Sequence, residues 1–179
     1  MQDEKTVEID IDKEPGLLKK LDAGIYCLLS GNMFVMRDAA HKRIKEMIDN
    51  GENIPVSFKD SIIYYMGPAP ARPGKVIGSA GPTSSYRMDV YLEMSLQLGI
   101  AATVGKGGRS SSAIDLIRKY KAPYLVTIGG AGAYLAGCII SSKTVLFDDL
   151  GPEAVIKITV EKFPVIVGID ISGRKSLKE

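Results

Sequence analysis

Long hydrophobic runs are missing from this chain. The longest apolar stretches, such as residues 164–169, are strand-sized and fall well short of the ~18 to 20 residues a membrane helix needs, so no membrane span is expected. Cysteine is scarce as well: Cys27 and Cys138 are the two in 179 residues, far apart, with neither metal-site nor redox-pair spacing. A reducing cytosol would keep both as thiols, and their apolar or small neighbours make them small core side chains, so no metal is expected on this chain. An excess of charge is also lacking. Lys and Arg number 23 against 21 Asp and Glu, a net charge of +2, which gives no general pull toward nucleic acid; any anion site must be local. The start, Met1-Gln2-Asp3-Glu4-Lys5, has neither the apolar core of a secretory signal nor the arginines of a transit peptide, so a cytoplasmic location is expected.

What is present is an ordinary globular composition, 45% hydrophobic and 25% charged, without repeats or low-complexity tracts. Residues 1–179 are expected to form one domain that buries roughly 70% of the surface of the unfolded chain. Period-two alternation predicts a strand over 6–12, and Pro15-Gly16 ends it before a short helix carrying Leu17, Leu18 and Leu21. A buried strand is expected over 25–29, stopping at Ser30-Gly31-Asn32. Ala40, Ile44, Met47 and Ile48 recur at helical spacing and predict an amphipathic helix over 37–50. Residues 62–65 read as a strand, and the prolines and glycines of 67–74 as an ordered surface loop. Two units of strand, glycine-rich loop and helix follow, with strands over 101–104 and 124–128. The tail reads as three short strands, over 145–147, 154–160 and 165–169.

Three segments place cations at or near predicted helix starts: Arg37-Asp38-Ala39-Ala40-His41-Lys42-Arg43, Gly81-Pro82-Thr83-Ser84-Ser85-Tyr86-Arg87-Met88-Asp89 and Gly105-Lys106-Gly107-Gly108-Arg109. A helix N-terminus already carries about half a positive charge, so a basic residue there does not support the helix and is better explained by an anion. Arg presents a planar donor fork and Lys a mobile point charge; Arg37, Arg87 and Lys106 together suit a small dicarboxylate, and phosphate equally. Neither Gly105-Lys106-Gly107-Gly108 nor Gly129-Gly130-Ala131-Gly132 matches a P-loop or a dinucleotide fingerprint.

The segment Gly81–Asp89 resembles the Gly-Pro-Thr-Thr-x-x-Arg-Met-Asp signature of the iron–sulfur hydro-lyases, the class I fumarate hydratases and L-tartrate dehydratases, in their beta subunit or C-terminal domain. Ser30-Gly31, the run from Arg37 to Arg43, Gly105-Lys106-Gly107-Gly108-Arg109, Gly129-Gly130-Ala131, Leu150-Gly151-Pro152-Glu153-Ala154 and Phe163-Pro164 resemble that family in the same order, over about residues 5–172. The resemblance implies an α/β fold, a swivelling beta/beta/alpha domain with mixed sheets, closing over an alpha subunit whose three cysteines hold a [4Fe–4S] cluster. This chain lacks those cysteines, so the cluster is expected on the partner and the active site at the interface of a hetero-oligomer. The implied activity is that of a lyase, reversible hydration of fumarate to (S)-malate. The implied substrate-carboxylate ligands are Arg37, Arg87 and Lys106, and the implied proton-transfer hydroxyl is Thr83.

Tyr86 stands where the family has glycine, which leaves pocket size open and with it the choice between fumarate and tartrate. A non-catalytic carboxylate-binding module is the reading from another class. His41 reads as a residue that packs or bonds locally, Arg109 as a secondary candidate that caps or pairs at its own loop, and Gly129, Gly130 and Gly132 as packing or substrate contacts with equal weight.

Overall fold

The computed structural model describes residues 6–176; the acidic start read above for targeting signals lies outside them. Among the described residues seven strands form one sheet: β1 (Val7–Asp10), β2 (Tyr26–Val35), β3 (Ile62–Tyr64), β4 (Ala102–Gly105), β5 (Tyr124–Val126), β6 (Ile139–Leu146) and β7 (Val155–Ile169). Strands β1 to β5 pair in sequence order and in parallel. Antiparallel β7 pairs with both β5 and β2, so β2-β3-β4-β5-β7 closes into a small barrel; β1 extends β2 and β6 extends β7. The mixed sheet expected from the sequence is therefore one sheet closed on itself rather than several.

Two expected breaks are bridged. Strand β2 runs through Ser30-Gly31-Asn32, and β7 is a single strand of 15 residues where two short ones were expected. The same irregularity explains both. Leu29 pairs with Phe163 and Gly31 with Val160, so β7 spends an extra residue opposite Ser30. Gly31 (φ 125°) and Lys162 (φ 49°) take up the bend in left-handed backbone, and a β-bulge of this kind curves a strand without ending its pairing. Strand β6 likewise begins at Ile139, earlier than the expected 145. The 3₁₀ turn Pro15–Lys20 replaces the short helix, with Leu18 buried.

Among the described residues four helices pack outside the barrel: α1 (Asp38–Asp49), α2 (Asp89–Gln97), α3 (Ser111–Tyr120) and the short α4 (Gly132–Gly137). Alternation along β3 shows why its sequence is continuously apolar: Ile62 and Tyr64 join one core with Leu29, Val104 and Phe163, while Ile63 packs with Ala40, Ile44 and Met88. A strand buried on both faces has no wet side to make polar. A third core holds α2 and α3 through Leu92, Leu96, Ala113, Ile114 and Ile117. Among the described residues no helix is long and apolar enough to cross a membrane.

Because β2, β3, β4 and β5 are parallel and adjacent, the segments that follow them open at the same end of the barrel. These carry Arg37, residues 66–84, Lys106 and the glycines of 129–132, and ligand crevices in parallel sheets form at the carboxyl ends of such strands.

Candidate functional site

A cleft of about 500 Å³ opens at that end, lined by Arg37, Gly67, Gly81, Pro82, Lys106 and Gly132 together with neighbouring loop residues. Its walls are laced by main-chain bonds. Thr83 N–H donates to the Tyr65 carbonyl (2.7 Å), Lys106 N–H to the Thr83 carbonyl (3.3 Å) and Ser85 N–H to the Lys106 carbonyl (3.0 Å), so Thr83 is held between the segments after β3 and β4. Tyr64 Oη donates to the Ala80 carbonyl (2.5 Å), and Ala80 N–H to the Gly132 carbonyl (2.9 Å), which ties the proline-rich loop to β3 and α4.

Two glycines are needed for this closeness. A Cβ on Gly67 would lie 2.2 Å from Arg37 Nη1, and one on Gly132 would lie 2.3 Å from Ser79 Oγ and 3.0 Å from Gly81 N. Close packing thus accounts for Gly132, which also lines the cleft.

The four sequence-derived residues are distributed unequally. Arg37 and Lys106 share the cleft lining. Thr83 follows Pro82, half-buried, its main chain fixed as above. Arg87 lies further out, half-exposed on the 3₁₀ turn Ser85–Met88, and Nη2 donates to Asp38 Oδ2 at 2.7 Å. Lys106 makes no ion pair among the described residues, whereas Arg37 Nη2 meets Glu153 Oε1 at 3.2 Å and its Nε lies 3.9 Å from Asp38 Oδ2. Tyr86 is exposed and takes no part in the cleft lining.

The carboxylates Asp38 and Glu153 escaped the sequence reading, although both lie in segments it singled out. Glu153 comes from the 3₁₀ turn before β7, and its Oε2 accepts the Ala39 N–H at 3.1 Å. The anion that the basic start of α1 calls for is therefore supplied in part by the chain itself. Asp38 lies between the two arginines, hydrogen-bonded to Arg87 and 3.9 Å from Arg37 Nε.

Behind the cleft lies a buried layer. Arg109 Nε meets Asp89 Oδ1 at 2.5 Å, and Ser110 N–H donates to Asp89 Oδ2 at 2.7 Å. The Arg109 guanidinium lies over the rings of Tyr65 (5.5 Å) and Tyr124 (5.0 Å). Arg109 thus pairs beyond its own loop, and Asp89, the last residue of the motif, clamps the segment after β4 to the start of α2. His41 is fully buried, and its Nδ1 lies 2.7 Å from the Arg37 carbonyl. Burial pushes its pKa down to about 4, with the Arg109 charge acting the same way, so the ring is neutral at neutral pH.

The thiols do not fit as ligands of a cluster. Cys27 is sealed inside β2, its pKa pushed up to about 11 by burial, and half-buried Cys138 follows α4. The expectation that both are core side chains thus holds fully for Cys27 and only in part for Cys138. Among the described residues no three His, Cys, Asp or Glu side chains come together as a metal site. Chemically, the arrangement offers two cationic side chains in a cleft, a third cation beside it, and one hydroxyl.

Comparison with known proteins gives the family. The family model described as Fumarase C-terminus matches residues 1–179. Fumarate hydratase 2 of Leishmania major is 44% identical over 165 residues, 91% of this chain and 29% of that protein. The aerobic class I fumarate hydratase of Escherichia coli K12 is 44% identical over 147 residues, 81% of this chain and 27% of that protein. The chain thus spans less than a third of the length of these fumarate hydratases. A putative L(+)-tartrate dehydratase subunit beta of Methanocaldococcus jannaschii is of similar size: 38% identity over 168 residues covers 90% of this chain and 86% of that one. With the whole chain matched and the motif residues gathered around one cleft, this protein belongs to the fumarase C-terminus family.

Proposed function

We propose that this chain is the beta subunit of a [4Fe–4S]-dependent hydro-lyase that interconverts fumarate and (S)-malate, with the cluster on an alpha subunit in the cytoplasm. The observation that carries the reading is the shared cleft of Arg37 and Lys106, at the mouth of the parallel strands, in a chain akin to fumarate hydratases. The barrel with its helices then acts as a swivelling unit that closes over the partner and completes the site. Tartrate dehydration is the second reading, favoured by the similar-sized tartrate dehydratase subunit beta.

In this reading the residues of this chain bind and stabilise charge. Arg37 and Lys106 take one carboxylate of the substrate, and Arg87, preset by Asp38, takes the other. Removing a proton from C3 builds negative charge on the adjacent carboxylate, so a cation there holds the transition state more strongly than the ground state. A threonine hydroxyl is a weak base unless its own proton is taken up. Thr83 therefore needs a carboxylate from the partner to relay a proton, or else it orients substrate.

An anaerobic pull-down of this chain from its native extract tests the assignment. The eluate should contain a second subunit and iron, and should hydrate fumarate; dehydration of tartrate instead would transfer the assignment to that substrate. A clean chain that binds dicarboxylates without iron or a partner, while a control cluster enzyme survives the same preparation, would replace the reading with a binding module. Thr83→Val in the active assembly should lower kcat by at least about tenfold and change KM little. An effect confined to KM would leave Thr83 as a binding residue.

A further inference from the structure

We propose that His41 is a positioning residue for the candidate site: by donating to the Arg37 carbonyl, its neutral imidazole sets the angle at which the Arg37 guanidinium enters the cleft. The inference rests on the proposed role of Arg37 as a carboxylate ligand.

A carbonyl can only accept, so the 2.7 Å contact places the ring proton on Nδ1 and leaves Nε2 bare. The same carbonyl also accepts the main-chain N–H of His41 at 3.0 Å. Both bonds thus converge on the N-cap residue of α1, whose own side chain makes no capping bond. One residue thereby fixes the peptide plane from which the Arg37 side chain departs.

The ring also reaches the other elements of the site. It stacks on Tyr91 of α2 (centroids 5.6 Å, planes 23° apart) and tilts against Tyr65 (5.8 Å), whose carbonyl holds the Thr83 N–H. Arg109, from the loop that carries Lys106, lies over the Tyr65 ring at 5.5 Å. A single imidazole therefore touches both the Arg37 carbonyl and the ring of Tyr65, the residue whose carbonyl holds Thr83.

The ring is kept neutral by burial, with the Arg109 charge acting the same way, against the hydrogen bond to the Arg37 carbonyl and the charge of Asp38. Its own helix presents Asp38, the cap presents Arg37, and the segment after β4 presents Arg109, itself paired with Asp89; Tyr65 and Tyr91 present phenol rings. His41 Nε2, Tyr65 Oη and Arg109 Nη2 are buried and unpartnered among the described residues. A proton on Nε2 would put a second cation into the pocket that already holds Arg109, at a cost that a bare nitrogen avoids.

Two substitutions separate this role from simple packing. His41→Phe keeps the aromatic stack and loses the donor, whereas His41→Asn keeps a donor at the position of Nδ1 and loses the stack. In the active assembly, His41→Phe should raise the KM for the dicarboxylate by about tenfold with kcat within about threefold. His41→Asn should keep a near-normal KM while melting earlier. The reverse order, with Asn raising KM more than Phe, or no change in KM from either, would overturn the proposal. Arg37→Ala is the control. If it leaves KM unchanged, the reading of the site fails; if it raises KM while His41→Phe does not, only the role of His41 fails. His41 is the sole histidine in the sequence, so ¹⁵N-histidine spectra of the full chain report its tautomer without overlap. The expected form carries hydrogen on Nδ1 and stays neutral at pH about 5; a proton on Nε2 would overturn the proposal independently of activity.

Discussion

Arg87→Ala in the assembled enzyme should lower turnover by at least about a hundredfold, the loss of roughly 3 kcal/mol of charge stabilisation in the transition state. Position favours a large effect on rate and a small one on folding. The Arg87 side chain is half-exposed, and its partner in the unliganded chain is the surface carboxylate of Asp38 at 2.7 Å. Exposed ion pairs contribute at most about 1 kcal/mol to stability, so the variant should melt within a few degrees of the parent. Arg87→Lys should recover only part of the rate, since an ammonium keeps the charge but not the planar fork. Steady-state kinetics with fumarate and with tartrate checks both substitutions, and near-normal turnover of Arg87→Ala would remove this residue from the mechanism.

Asp89→Ala should produce the opposite pattern, a loss of fold stability of about 3–5 kcal/mol, because it leaves the Arg109 guanidinium buried without its counter-charge. The Arg109 side chain is fully buried and that of Asp89 nearly so. The substitution also strands the Ser110 N–H, which donates to Asp89 Oδ2. The rings of Tyr65 and Tyr124 remain beside the cation, but a quadrupole worth about 2 kcal/mol when desolvated does not replace a carboxylate. Asp89→Asn should fall between, since it keeps an acceptor for Ser110 and loses the charge. Urea unfolding measures the loss, and a change below about 1 kcal/mol would show that water reaches Arg109 in the folded chain.

The contrast between these two residues bears on how the motif Gly81–Asp89 should be read. Its arginine faces outward beside the cleft, whereas its aspartate belongs to the buried layer that sets the loops. An acidic residue in the first turn of α2 is locally favourable in any case, and nothing local in the sequence distinguishes that position from a clamp on Arg109, twenty residues away. His41 shows a similar limit. The sequence reading expects local packing or hydrogen bonding, and the bond to the Arg37 carbonyl is local in that sense. Its stack on Tyr91 and its tilted contact with Tyr65 depend on α2 and the end of β3 arriving beside α1.

Local chemistry was sufficient for elements whose signal fits inside one window. Apolar spacing defines α1 and α3, alternation defines β1, and the prolines and glycines of 67–74 exclude regular structure there. The sequence by itself also determined the family, because its motifs lie in order along the chain, and it singled out the two cations that meet in the cleft, Arg37 and Lys106. Tertiary structure alone decided the rest. Whether Gly31 ends β2 or bends it depends on the extra residue that β7 places opposite, and barrel closure follows from that pairing between residues more than a hundred positions apart. The roles of Asp38, Glu153 and Asp89 were decided in the same way: a carboxylate is defined by the charge it meets, and each of these meets an arginine that only the folded chain brings within reach.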